Sequence, residues 1–104
     1  MGQQRWTVLT SHGHVLVYVA ANPTATVREV TEALGISERR VIAVLHDLED
    51  AGMVRSRRVG NRKHYKVVPT ARFRHPALSH VAVGEVLKLL RPRVLAVASM
   101  RWRG

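Results

Sequence analysis

Residues 24–68 constrain this chain more than any other stretch. Val27, Val30, Ala33 and Leu34 recur at helical spacing behind Thr26, whose hydroxyl suits an N-cap. Gly35 stands where that helix must end and the chain must turn sharply, because glycine takes left-handed backbone angles without the clash a Cβ brings. Ile36 comes next as a plug for the turn. Ser37 suits the N-cap of a second helix to about Ala51, with Val41, Val44, Leu45 and Leu48 on its inner face and Gly52 beyond its end. Two short helices joined by a tight glycine turn put the second one on display, at a size and angle suited to a DNA major groove.

The segment after Gly52 adds a second signal. Met53–Val59 and Arg62–Val68 are β-rich runs separated by Gly60-Asn61, a pair suited to the positive φ angles of a tight hairpin turn. The hairpin carries Arg55, Arg57, Arg58, Arg62, Lys63 and Lys66 with no acidic residue among them. In this order the pieces make residues 11–68 resemble the winged helix-turn-helix of small bacterial and archaeal regulators of the ArsR and MarR kind. Arg74-His75-Pro76 and Val83-Gly84-Glu85-Val86-Leu87 carry a fainter likeness to short winged-helix regulators that end in one further helix. The expected fold is mainly α with a small β-hairpin wing (α+β). The resemblance implies a transcriptional regulator, a repressor, that binds double-stranded DNA as a homodimer paired through its first and last helices.

A chain of 104 residues is expected to form one domain with a modest aliphatic core, given 46% hydrophobic but only 5% aromatic residues. Without cysteine there is no disulfide framework and no thiolate metal site. The apolar run Val15–Ala21 is too short to span a bilayer and lacks the basic leader of a signal peptide. Met1-Gly2 is not followed by the Ser or Thr a myristoylation motif needs, since Trp6 stands there. A soluble, cytoplasmic protein is expected. The net charge of +10 is unevenly spread. Residues 1–50 hold four basic side chains against six acidic ones, a net −2, whereas residues 51–104 hold thirteen against Glu85 alone, a net +12. Clustered cations neutralise phosphates and release counterions, which gives a salt-sensitive, sequence-independent affinity.

Along the chain, residues 1–10 are expected to be an N-terminal arm anchored by Trp6, Val8 and Leu9. Ser11 would cap a first helix through Val15, Leu16, Val19 and Ala20, ended by Asn22-Pro23. Thr24-Ala25 would add a short third strand to the hairpin. Residues 69–104 would supply a linker, a final helix from Pro76 to about Leu90, and an apolar tail beyond Pro92. The first and last helices offer more apolar surface than a trihelical core absorbs, so Val15, Leu16, Val19, Val83, Val86, Leu87 and Leu90 are assigned to a homodimer interface. The competing expectation is a monomer whose tail folds back to complete the core.

With Ser37 as N-cap, Arg39, Arg40, Ile42, Ala43 and His46 fall on the outer face of the second helix. Arg39 and Arg40 occupy its first turn, where arginine can pair with guanine for about 1–3 kcal/mol of discrimination, or touch phosphate alone. Ser37 is a cap that can also meet phosphate. Ile42 and Ala43 replace the polar or basic residues usual in such regulators; they suit thymine methyls, weak readout or a protein partner. His46 reaches either a phosphate or solvent. Arg57, Arg58, Arg62 and Lys63 flank the Gly60-Asn61 tip, with Asn61 at the contact surface. They would follow the DNA backbone or enter the minor groove, or else form a solvated edge whose charge deters strand pairing. No metal or cofactor is expected, although His12, His14, His75 and His80 could converge across a dimer. No nucleophile constellation, paired carboxylates or phosphate loop points to an enzyme. Two other readings use the same charge: a non-sequence-specific architectural DNA-binding protein, and a winged helix that meets RNA or protein. An effector molecule is not legible.

Overall fold

The computed structural model describes residues 7–90. Thr10, one residue before the expected cap, opens α1 (Ser11–Ala21): its hydroxyl accepts from the Gly13 amide at 3.3 Å. Ser11 is already inside the first turn, so the amide that needs a partner lies three residues beyond Thr10. Asn22 closes α1 by donating both its backbone N–H, at 2.9 Å, and its side-chain amide, at 3.0 Å, to the Tyr18 carbonyl. α2 (Val27–Leu34) begins with a reciprocal capping box. The Glu29 amide donates to Thr26 Oγ1 at 3.1 Å, and the Thr26 amide donates to Glu29 Oε1 at 2.8 Å. Gly35 ends α2 at φ 70°. Ser37 then caps α3 (Glu38–Asp50), its Oγ accepting from the Arg40 amide at 3.1 Å.

β1 (Val54–Val59) and β2 (Arg62–Val67) form a two-stranded antiparallel sheet in which Val54 faces Val67 and Val59 faces Arg62. The Val68 amide donates to the Met53 carbonyl at 2.8 Å, which carries the pairing to the outer limits expected from the sequence. Only Gly60 of the turn pair takes positive φ, at 64°, while Asn61 does not. Glycine at the first central position alone is the II′ pattern, whose twist matches that of the strands. The expected third strand is absent among the described residues. Thr24-Ala25 instead completes a turn closed by the Ala25 amide on the Asn22 carbonyl, leading straight into the Thr26 cap.

The expected last helix is divided. A 3-10 turn spans Pro76–Leu78, capped by His75, whose Nδ1 accepts from the Ala77 amide at 3.1 Å. Ala82 then runs antiparallel to Arg72 in an isolated bridge, and helix α4 covers 83–90. Val81 and Val83 are two residues apart, a strand spacing that competes with the helical one. The start of α4 is held by backbone: the Val83 amide donates to the Ala71 carbonyl at 2.7 Å and the Gly84 amide to the Pro69 carbonyl at 2.9 Å. These bonds satisfy amides that a helix N-terminus leaves without intrahelical partners.

The core gathers Val15, Leu16, Tyr18 and Val19 of α1, Val30 and Ala33 of α2, and Val41, Val44, Leu45 and Leu48 of α3. Met53 and Val54 close it beneath the hairpin, and Val83 and Leu87 of α4 complete it. Of the expected anchors of the arm, Val8 is exposed and Leu9 half-buried, and Trp6 lies outside the described residues. The tail beyond Pro92 also lies outside them. Among the described residues no helix is long and apolar enough to cross a membrane.

Candidate nucleic-acid interface

Burial of Val41, Val44, Leu45 and Leu48 turns the opposite face of α3 to solvent. Arg39, Arg40, Ala43 and His46 are all exposed there, and Ile42 is 50% exposed. Glu38 sits in the first turn, where the helix dipole favours a carboxylate. Two tertiary hydrogen bonds define the flanks of this face. On one side, Ser56 Oγ of β1 donates to Glu49 Oε2 at 2.7 Å and marks the flank toward the wing. On the other, His12 Nε2 of α1 lies 2.8 Å from Asp47 Oδ2. Helical spacing places Ile42 on the wing side with Glu49, and Arg40 on the α1 side with Asp47.

Strand alternation divides the wing cations between two faces. Arg58 and Lys63 share the face of Ser56 and Tyr65, toward α3. Arg57 and Arg62 lie on the other face with Arg55 and Lys66. The register sets Arg58 opposite Lys63 and Arg55 opposite Lys66. Like charges directly opposed in an antiparallel pair destabilise it. Two such pairs in one small hairpin are a cost that a polyanion laid along the wing would offset. Arg55 and Lys66 were not singled out for the interface from the sequence, because their role depends on register. Asn61 is exposed at the tip, and Tyr65 and Val67 turn inward, each half-buried.

The hydrogen bond from His12 holds the Asp47 carboxyl below its ordinary pKa, and the Ser56 hydroxyl does the same for Glu49. Burial raises the Tyr65 phenol, with the nearby Glu49 charge adding to it. Three other histidines have separate local roles. His14 meets the Thr7 hydroxyl at 3.3 Å, His75 caps the 3-10 turn, and the His80 carbonyl accepts from Arg72 at 2.6 Å. Among the described residues no group of three or more His, Cys, Asp or Glu is placed to hold a metal ion.

The side chains assigned to a dimer interface divide sharply. Val15, Leu16, Val19, Val83 and Leu87 are buried in the core of the single chain, while Val86 and Leu90 are half-buried. Leu89, beside them on α4, is 79% exposed. A groove of about 530 Å³ runs between α1, the end of β2 and α4, lined by Val19, Ala20, Val67, Pro69, Leu87 and Lys88 among others.

This order of elements, α1 to α3 followed by a hairpin, is also where a family match falls. Residues 13–71 match the model described as the sugar-specific transcriptional regulator TrmB. The chain belongs to the TrmB family. That family is one of transcriptional regulators, not enzymes, and its match takes in both α3 and the wing of this TrmB-family chain. A mutant of ZitR from Lactococcus lactis superposes with a TM-score of 0.56 at 20% identity, covering 99% of this chain and 65% of that one. The chain thus spans about 65% of the length of that ZitR structure. The antimony-specific transcriptional repressor AntR superposes with a TM-score of 0.51 at 20% identity, covering 97% of this chain and 93% of the other. No curated protein sequence matches the chain. At such identity the structural likeness establishes the fold, a winged helix.

Proposed function

We propose that this TrmB-family chain is a cytoplasmic DNA-binding regulator that represses transcription by occupying duplex DNA as a homodimer. The observation that carries the reading is the pairing of like charges across the wing beside an exposed, well-capped α3. α3 enters the major groove by its N-terminal half, where Arg39 and Arg40 meet bases and Ser37 a phosphate. Ile42 and Ala43 press on thymine methyls, and His46 reaches toward the backbone. Arg57, Arg58, Asn61, Arg62 and Lys63 of the wing follow the adjacent backbone and minor groove. Two-fold pairing sets two such surfaces one helical turn apart. The wing and turn are those of regulators of the ArsR and MarR kind. The sugar specificity in the family's description is the family's, and we assign no effector to this chain.

A second reading, an architectural protein that binds DNA without sequence preference, draws on Ile42 and Ala43, which offer α3 few hydrogen bonds for base readout. Salt-titrated fluorescence anisotropy separates the two, comparing DNA upstream of this chain's own gene with a shuffled fragment of equal composition. A preference for the upstream fragment that persists as salt rises supports the regulator. Equal affinities that collapse together with salt make the protein architectural. Absence of binding to either fragment overturns both.

A further inference from the structure

Three carboxylates of α3 run against both the physics of the helix and the partner proposed for it. Asp47, Glu49 and Asp50 crowd the C-terminal part of the helix, and its last turn has no basic residue. Negative charge is disfavoured at that end by the helix dipole, and it repels phosphate. Each carboxylate nevertheless has a group that answers it. Ser56 bonds Glu49, and His46 Nδ1 stands 3.8 Å from Asp50 Oδ2 within the same helix. Asp47 is answered from another element altogether, by His12 at the start of α1, at 2.8 Å. Asp47 shares its flank with Arg40, two turns earlier, which we assign to DNA.

We propose that His12 is a positioning residue of the DNA-binding surface, drawing the Asp47 carboxylate toward α1 and cancelling its charge when protonated, so that affinity for DNA rises as pH falls. The inference rests on the DNA-binding reading. A neutral imidazole holds the carboxylate by donating Nε2–H and leaves the pair at −1; the imidazolium makes the same bond and brings the pair to zero. Imidazoles change charge between about pH 5 and 8. The charged groups acting on Asp47 are His12 from α1 and Arg40 and His46 from α3 itself; none comes from the described residues of α2 or β1, which also pack on α3. Among the described residues, Asp47 is the ion-pair partner of His12. The proposed DNA-facing surface carries other imidazoles, His46 on α3 and His64 on the wing, so the test has to be subtractive.

The test is the affinity for one fixed duplex at about pH 8 and about pH 6, at constant ionic strength, for wild type, Asp47→Asn and His12→Gln. Wild type should bind more tightly at the lower pH. Asp47→Asn should bind more tightly than wild type at the higher pH and lose about two- to fivefold of the gain on acidification, the scale of an exposed charge pair. His12→Gln should bind like wild type at the higher pH and fail to gain as wild type does. Equal pH slopes in all three proteins would overturn the proposal and leave the DNA-binding reading standing. A pair that only tethers α1 to α3 would lower thermal stability in both variants with the slopes unchanged, which counts against it equally. A second readout needs no DNA: in His12→Gln the Asp47 carboxyl, followed by carbon NMR, should titrate closer to the ordinary aspartate value. An unmoved titration overturns the contact itself. No binding of wild type to any duplex at either pH, with the NMR shift present, would place the fault in the DNA-binding reading.

Discussion

Gly84 occupies a space with no room for a side chain. A Cβ there would lie 2.8 Å from Pro69 Cβ and 2.9 Å from the Pro69 carbonyl oxygen, the same oxygen that accepts the Gly84 amide. The obstruction is largely backbone and a rigid ring, so it cannot swing aside. Gly84→Ala should therefore push α4 off the core and destabilise the fold by about 1–3 kcal/mol, measured by urea denaturation. Alanine has the higher helix propensity, so an unchanged or raised stability would show that α4 does not seat as described. Asp47 and Glu49 give a second prediction at this scale. Both have folded-state pKa values depressed below 3.8 and 4.5, by His12 and Ser56 respectively. A depressed carboxylate contributes stability that is present above its unfolded value and lost as pH falls through its folded one. The window thus lies below the ordinary carboxylate range. An Asp47→Asn/Glu49→Gln variant should lose less stability than wild type on acidification through that window, with the thermal midpoint followed against pH. Asp47 is exposed and Glu49 half-buried at the surface, where solvent screens such contacts, so the difference should be small.

At the scale of elements, the wing is a hairpin whose register opposes its own cations. Arg57→Ala/Arg58→Ala/Arg62→Ala removes charge from both faces, and we expect DNA affinity to fall by a similar factor on every sequence. The slope of log affinity against log salt should become shallower by roughly two to three. Selective loss on one sequence would move base readout from α3 to the wing. The same variant relieves the Arg58–Lys63 opposition, so the free protein should be no less stable by urea denaturation. α3 was legible in the sequence nearly to the residue, from its Ser37 cap to its four buried positions, because a cap and a 3.6-residue period are local signals. α4 was not. Val81, Val83, Val86, Leu87 and Leu90 behind Pro76 suggested one helix, whereas the bridge between Arg72 and Ala82 interrupts it just ahead of 83–90. A pairing between segments ten residues apart leaves no local periodicity to detect.

For the whole molecule, α1 and α4 are first of all components of one protomer's core. Val15 and Val83 are fully buried without a second chain. Of the side chains assigned to a homodimer interface, the core leaves Val86 and Leu90 half-buried, with the exposed Leu89 beside them on α4. Leu89→Glu should leave the thermal midpoint of the protomer nearly unchanged, shift sedimentation toward monomer, and weaken DNA binding through lost two-fold coupling. A wild-type protein that sediments as a monomer at the concentrations where it binds DNA would remove the dimer from the mechanism. The uneven charge also acts at this scale. The net positive half begins just before the wing, so long-range attraction should bring DNA to the hairpin before α3 is seated.

By itself the sequence determined the helix-turn-helix, its caps and the hairpin. Each depends on interactions within about four residues: the Thr26–Glu29 capping box, the left-handed backbone at Gly35, the Ser37 cap and the turn at Gly60. It also determined which residues of α3 stand outward, since burying one face of a helix exposes the other. Tertiary structure alone decided which apolar residues the protomer keeps for its own core and how the final helix divides. It alone brought His12 to Asp47 and Ser56 to Glu49. Those outcomes turn on competition between surfaces distant in the chain, where an apolar side chain suits a core or an interface equally well and only packing selects between them.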